Sequence, residues 1–201
     1  MKSSAKQQST REAILDATDR LLARSGYKKM TIDDLAKEVG IGKGSVYLHF
    51  SSKEELVLSH IDRIIDRLQI KLSAIAEESA KPSARLRKML EMRVLHRFDG
   101  VQHYTQSLND LLSAIRPNFL ARRESHFENE AQIFVAVIEE GQQNGDFAEG
   151  DARKIAESLV LATNSLLPFS LTTQELGERR DIEEKTRQIA NLLLQGLIKR
   201  E

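Results

Sequence analysis

TIDDLAKEVGIGKGSVYLHFSSK, residues 31–53, decides the reading of this chain. Thr31 is a favourable N-cap, and Asp34 follows three residues later in the spacing of a capping box. Ile32, Leu35, Ala36 and Val39 then share one helical face. Gly40 stands where a left-handed C-cap residue belongs. After Ile41 and Gly42 a second helix opens near Lys43. Val46 and Phe50 are its apolar positions, which leaves Lys43, Ser45, Tyr47 and His49 to point outward. Two short helices around a glycine turn, the second polar on its outer side, form a helix-turn-helix. That motif sets its second helix in the DNA major groove.

The stretch TxxDLAKEVGIGKGSVYLHFSSKEEL resembles the DNA-binding domain of the tetracycline-repressor (TetR) family. Thr31, Ala36, Gly40, Gly44, Val46, Tyr47, His49, Phe50, Lys53 and Leu56 carry the resemblance, and Ile41 stands where Val is commoner. It covers roughly residues 9–58; the remainder agrees only in length and helical character. The resemblance implies an all-α chain, with a three-helix DNA-binding domain followed by a helical domain that binds a small molecule and dimerises. The expected division is 1–53 and 54–201.

Chemistry gives the DNA contacts. Thr31 at a helix start can offer its hydroxyl and a backbone N–H to a phosphate. Lys53, also at a helix start, adds charge, and Tyr47 and His49 have the reach for phosphates. Lys43, Gly44 and Ser45 open the recognition helix. Lys43 suits guanine O6 or N7, Ser45 can donate or accept, and Gly44 removes a side chain where helix and DNA approach. The resemblance assigns these positions the same roles. A head this small binds weakly alone, so a dimer reading a near-palindromic duplex is expected.

The charge balance agrees once divided. Residues 1–53 hold ten Lys and Arg against six Asp and Glu, a surplus of +4, and the remaining residues hold 20 against 24, or −4. A basic end on an acidic body suits a phosphate-binding head. With 40% hydrophobic residues the chain is no disordered tail, and no apolar run reaches membrane-spanning length. MKSSAKQQSTRE lacks an apolar stretch, so no secretory signal is expected, and the absence of cysteine excludes disulfides and thiolate sites. A cytoplasmic protein without cofactor is the expectation.

About nine helices are predicted. The first eight residues are polar and expected to be mobile. Ser9 and Glu12 box the start of the first helix, which Gly26 ends. The fourth runs from Lys53 toward Lys81-Pro82. Ser83 caps the fifth, broken at Asp99-Gly100. The sixth covers Tyr104 to Ile115 and stops before Pro117. The seventh runs from Phe119 to Asn144. Asp151 caps the eighth, which reaches Leu167 and Pro168, and Asp181 caps the ninth.

The last two helices supply the expected dimer surface, a four-helix bundle built on Leu159, Ala162, Thr163 and Leu166 and on Ile189, Leu193, Gly196 and Leu197. The resemblance further implies an effector pocket in the body, for which Met89, Arg93, His96, Tyr104, Leu108, Phe127, Phe134 and Asn164 are candidates. A largely apolar effector is expected, with the polar members orienting it. No nucleophile elbow or phosphate loop is present, and adjacent carboxylates such as Glu139-Glu140 are solvated charges, so no enzyme activity is expected. His126 and Glu130, or Asp99 and His103, have metal-ligand spacing, but two ligands make no site and no metal is expected. The leading reading is a repressor released by a small molecule. The alternatives are an activator or ligand-independent regulator, and, from another class, a helical small-molecule-binding protein without DNA affinity.

Overall fold

A computed structural model describes residues 2–103, 108–170, 175 and 177–198. Among them are eight α-helices: α1 Lys2–Lys29, α2 Ile32–Val39, α3 Lys43–Tyr47, α4 Lys53–Ala76, α5 Pro82–Val101, α6 Leu108–Gln143, α7 Ala152–Thr163 and α8 Arg179–Leu197. No strand occurs among the described residues beyond an isolated antiparallel bridge between Phe147 and Ile198. No helix among them is long and apolar enough to cross a membrane.

The chain divides into two compact units, one of residues 1–63 and 102–119, the other of 64–101 and 120–201. α4 and α6 each contribute their two ends to different units.

In the first unit, turn chemistry sets the elements. Gly26 (φ 70, ψ 168) interrupts α1, and the Met30 N–H returns to its carbonyl at 3.1 Å. Gly40 (φ 75, ψ 33) ends α2 in the left-handed region, where a side chain on Cα is strained; its N–H donates to the Lys37 carbonyl and that of Ile41 to Ala36. Ile14, Leu15, Leu21 and Leu22 of α1, Leu35 of α2, Val46 of α3 and Leu56 of α4 are fully buried. Polar ties lie around them. Arg20 and Arg24 both reach Glu38, and Arg63 of α4 meets Glu12 at 3.1 Å and Asp16 at 2.7 Å on α1.

In the second unit, Leu68 and Leu72 of α4, Leu86 and Leu90 of α5, Phe134 and Ile138 of α6, Leu159 of α7 and Leu194 of α8 belong to one buried cluster. α5 packs on both α7 and α8. Arg179 at the start of α8 holds Asp99 of α5 at 2.8 Å.

Several helix boundaries differ from the sequence reading. α1 begins at Lys2, so Ser9 lies inside it and caps nothing, and residues 2–8 are helical. α4 ends at Ala76, five residues before Lys81. α5 runs through Gly100 to Val101. That glycine serves close approach: a Cβ there would lie 3.1 Å from Ile64. The separate sixth and seventh helices are one helix, α6, with Pro117 inside it. Proline removes one ladder hydrogen bond. Leu111, Ile115 and Phe119 offset this by burying one continuous face past the proline, which is itself exposed. α7 stops at Thr163, and 3-10 turns cover Asn164–Leu166 and Pro168–Ser170. Asp151 does cap α7, accepting from the Lys154 N–H. Glu178 rather than Asp181 is the N-cap of α8; Asp181 accepts from the Glu178 N–H instead.

Candidate functional site

α2 and α3 present the candidate nucleic-acid face. Thr31 is the extended N-cap of α2 (φ −119, ψ 157). Its Oγ1 accepts from the Asp34 N–H at 3.1 Å and donates to Asp34 Oδ2 at 2.7 Å. α3 is five residues long and buries only Val46. Lys43 and Gly44 are exposed and Ser45 is half-buried. A Cβ on Gly44 would meet nothing within 4 Å, so the fold itself does not require glycine there. Tyr47 is 48% exposed and Leu48 85%. His49 is half-buried, its ring 6.3 Å from Phe50.

Two of these residues carry unforeseen partners. Lys43 Nζ lies 2.9 Å from Asp33 Oδ2, and the hydrogen bond with that carboxylate raises the ammonium pKa. Lys53, the first residue of α4, sits with Nζ 4.3 Å above the Tyr27 ring. Burial lowers its pKa. Tyr27 in turn donates to Glu54 at 3.0 Å, and its phenol is pushed up to about 12 by burial and by that carboxylate. Asp33 and Leu48 escaped the sequence reading. Asp33 reads as a first-turn acid of α2, and its link to a lysine ten residues away needs the turn geometry. Leu48 carried a signal, an apolar residue outside the inward pattern of Val46 and Phe50.

The effector candidates separate into groups. Leu108 belongs to the first unit and therefore leaves the set found in the second. Tyr104 lies outside the described residues. Met89 and Phe134 are fully buried members of the second unit's core. His96 is bonded to α4: its Nε2 lies 3.0 Å from the Ile64 carbonyl and its Nδ1 3.2 Å from Lys71 Nζ. That pairing fixes the neutral Nε2–H form, since the carbonyl must accept and the ammonium donate. Burial, chiefly, lowers the His96 pKa, and Lys71 lowers it further.

Arg93, Phe127 and Asn164 do come together. Arg93 on α5 is fully buried and donates to Glu130 Oε2 at 2.7 Å, Thr163 Oγ1 at 2.7 Å and Asn164 Oδ1 at 2.6 Å. Its face covers Phe127, with Cζ 5.1 Å from the ring centre. Burial pushes its pKa down to about 10 against the support of Glu130. Arg97, one turn along α5, donates to the other Glu130 oxygen and to the Arg93 carbonyl. Glu130 therefore serves two guanidiniums, which removes it from any pairing with His126 around a metal. No group of three or more metal-ligating residues occurs among the described residues. Separately, an open groove of about 720 Å³ runs between α4 and α6, floored by Ile70, Ala74 and Ile133 and holding none of the candidates.

The dimer candidates also redistribute. Leu159, Thr163 and Leu166 are buried within the chain itself, so they cannot form its outer surface. Leu159 and Thr163 face inward because α7 packs on α5 and α8 with that side, and Leu166 lies in the 3-10 turn that follows. Ala162, Ile189, Leu193 and Leu197 are half-buried and Gly196 is exposed. The large apolar residues left outside are Leu161 on α7, 70% exposed, and Leu192 on α8, 71% exposed.

Comparison with known proteins places this geometry. Residues 14–59 match the family described as bacterial regulatory proteins, tetR family. The chain is 22% identical over 192 residues to the fatty acid metabolism regulator protein of Bacillus subtilis, covering 92% of this chain and 93% of that one. It is 27% identical over 146 residues to the HTH-type transcriptional repressor KstR2 of Mycobacterium tuberculosis, covering 69% and 70% of the two chains. A crystal structure of a transcriptional regulator from Cytophaga hutchinsonii superposes with TM-score 0.79 at 26% identity, over 94% of this chain and 98% of that one. The regulator FadR of Bacillus subtilis, solved in complex with stearoyl-CoA, has TM-score 0.66 at 19% identity over 92% and 98%, and shares the fold.

Proposed function

We propose that this chain, whose residues 14–59 match the tetR family of bacterial regulatory proteins, is a DNA-binding regulator of transcription: a cytoplasmic, dimeric repressor released from its operator by a small molecule. One observation carries the DNA-facing part. α3 buries a single residue, so Lys43, Gly44 and Tyr47 stand on a face their own fold leaves uncovered.

Lys43 and Ser45 read base edges, and Gly44 lets the backbone approach the groove floor. Thr31, Tyr47, His49 and Lys53 hold phosphates, and Leu48 meets thymine methyls. Lys43 must exchange Asp33 for DNA, so Asp33 tunes its availability. The dimer forms through α7 and α8, with Leu161 and Leu192 as its apolar centre and Gly196 permitting close approach. An effector binds in the second unit. In support, a relative sharing the fold was solved with a bound small molecule. A ligand preferring the conformation unsuited to two successive grooves lowers DNA affinity by that preference alone.

The test is equilibrium binding to a duplex at several salt concentrations. Neutralising about six phosphates weakens binding ~10³-fold between 50 and 200 mM salt. A flat salt response rejects the DNA-facing assignment.

A further inference from the structure

Among the described residues, the Arg93–Arg97–Glu130 cluster of the second unit buries more positive charge than its carboxylate neutralises. Arg93 and Glu130 are fully buried and Arg97 nearly so, and the one carboxylate accepts from both guanidiniums. The other partners of Arg93, Thr163 and Asn164, are neutral, as is the backbone carbonyl that Arg97 holds. The cluster therefore sums to +1. Arg93 has five N–H donors, and its three bonds to Glu130, Thr163 and Asn164 leave two for another acceptor. A third guanidinium follows. Arg123 of α6 lies over the rings of Phe127, at 5.6 Å, and Phe169, at 5.3 Å, rather than against a carboxylate among the described residues. Phe127 is thus flanked by Arg123 and Arg93.

Exposure grades along this series. Arg123, Phe127, Phe169 and Asn164 are half-buried, while Arg93, Thr163 and Glu130 are closed off. An uncompensated cation away from water is costly, and an anion removes that cost. Two aromatic rings at the outer end suit an apolar body. We propose that this cluster is the anion-binding end of the effector site, which takes a molecule with one carboxylate or phosphate-ester group on an apolar chain. The anion meets Arg93 and Arg123, and the chain lies against Phe127 and Phe169. By competing with Glu130, Thr163 and Asn164 for Arg93, it loosens the tie among α5, α6 and the end of α7. This rests on the reading of the second unit as a sensor.

The test uses the full chain and four probes of one length: octanoate, octyl phosphate, octanol and octyltrimethylammonium. Calorimetric titration is expected to find both anions bound at least tenfold tighter than the other two, the worth of one charge-assisted hydrogen bond. Arg123→Gln, at a half-buried position, keeps the fold and weakens both anions about tenfold while leaving octanol unchanged. Octanol binding as tightly as octanoate, anion affinity unaltered by Arg123→Gln, or no binding by any probe overturns the site. A DNA-binding arm separates the two readings. Anions that bind without weakening the DNA complex sustain the site and reject release by ligand. Release by octanol alone sustains the sensor and rejects the anion class.

Discussion

Glu130→Gln tests the charge accounting in the second unit. The substitution keeps side-chain shape and removes the one anion between Arg93 and Arg97. All three groups are buried, so water cannot replace the lost partner. Removing one member of a buried ion pair costs about 3–5 kcal/mol, and two cations lose their partner here, which favours the upper end. In a protein of this size each kcal/mol moves the midpoint by roughly 2–4 °C, so unfolding followed by far-ultraviolet circular dichroism is expected to fall by about 6–20 °C. Arg97→Met is the companion. It takes away the surplus cation and leaves Arg93 paired one-to-one with Glu130, so its cost is expected to be well below that of Glu130→Gln. If Arg97→Met destabilises as much as Glu130→Gln, the surplus charge is not what governs this cluster.

Three further outcomes follow from named contacts. His96 is held neutral with a lowered pKa, so the unfolded chain binds its proton more readily as pH falls below the ordinary histidine range. Its contribution is present above that range and lost as pH drops through it, and His96→Gln is expected to flatten the midpoint-against-pH curve between about 7 and 5; an unchanged slope counts against the assignment. Gly44→Ala introduces a Cβ into open space. Thermal stability should hold or rise, by at most about 1 kcal/mol, while DNA affinity falls; unaltered DNA affinity means that α3 does not approach the groove at this residue. Leu161→Arg with Leu192→Arg sets charges on the exposed apolar centre of α7 and α8, and sedimentation is expected to report monomers; a variant that stays dimeric places the interface elsewhere.

What was legible in the chain was local. Thr31, Gly40 and Asp151 act within a turn of their own position, and each performs the capping or turn role its type suggests. Distant packing outweighs a local breaker at two positions. Pro117 failed to stop α6 because Ile115 and Phe119 keep one face buried on either side of it. Gly100 read as a break, yet it makes room for Ile64, 36 residues earlier. The same limit applied to the sites. Glu130 had the spacing of a metal ligand beside His126, but Arg93 and Arg97 claim it from another helix. Leu159, Val160 and Leu161 in sequence announce two apolar faces on α7 without saying which one is spent indoors. Packing against α5 and α8 assigns the first two inward and leaves Leu161 outside.

The central claim is that α3 reads DNA sequence, and selection of bound duplexes from a random pool tests it most directly. The parent protein is expected to enrich a near-palindromic site with half-sites one helical turn apart, ~34–36 Å. Lys43→Ala and Ser45→Ala should change the enriched bases, whereas Lys53→Ala should enrich the same site with weaker binding. Enrichment of no site by the parent, or of an identical site by the parent, Lys43→Ala and Ser45→Ala, contradicts the account.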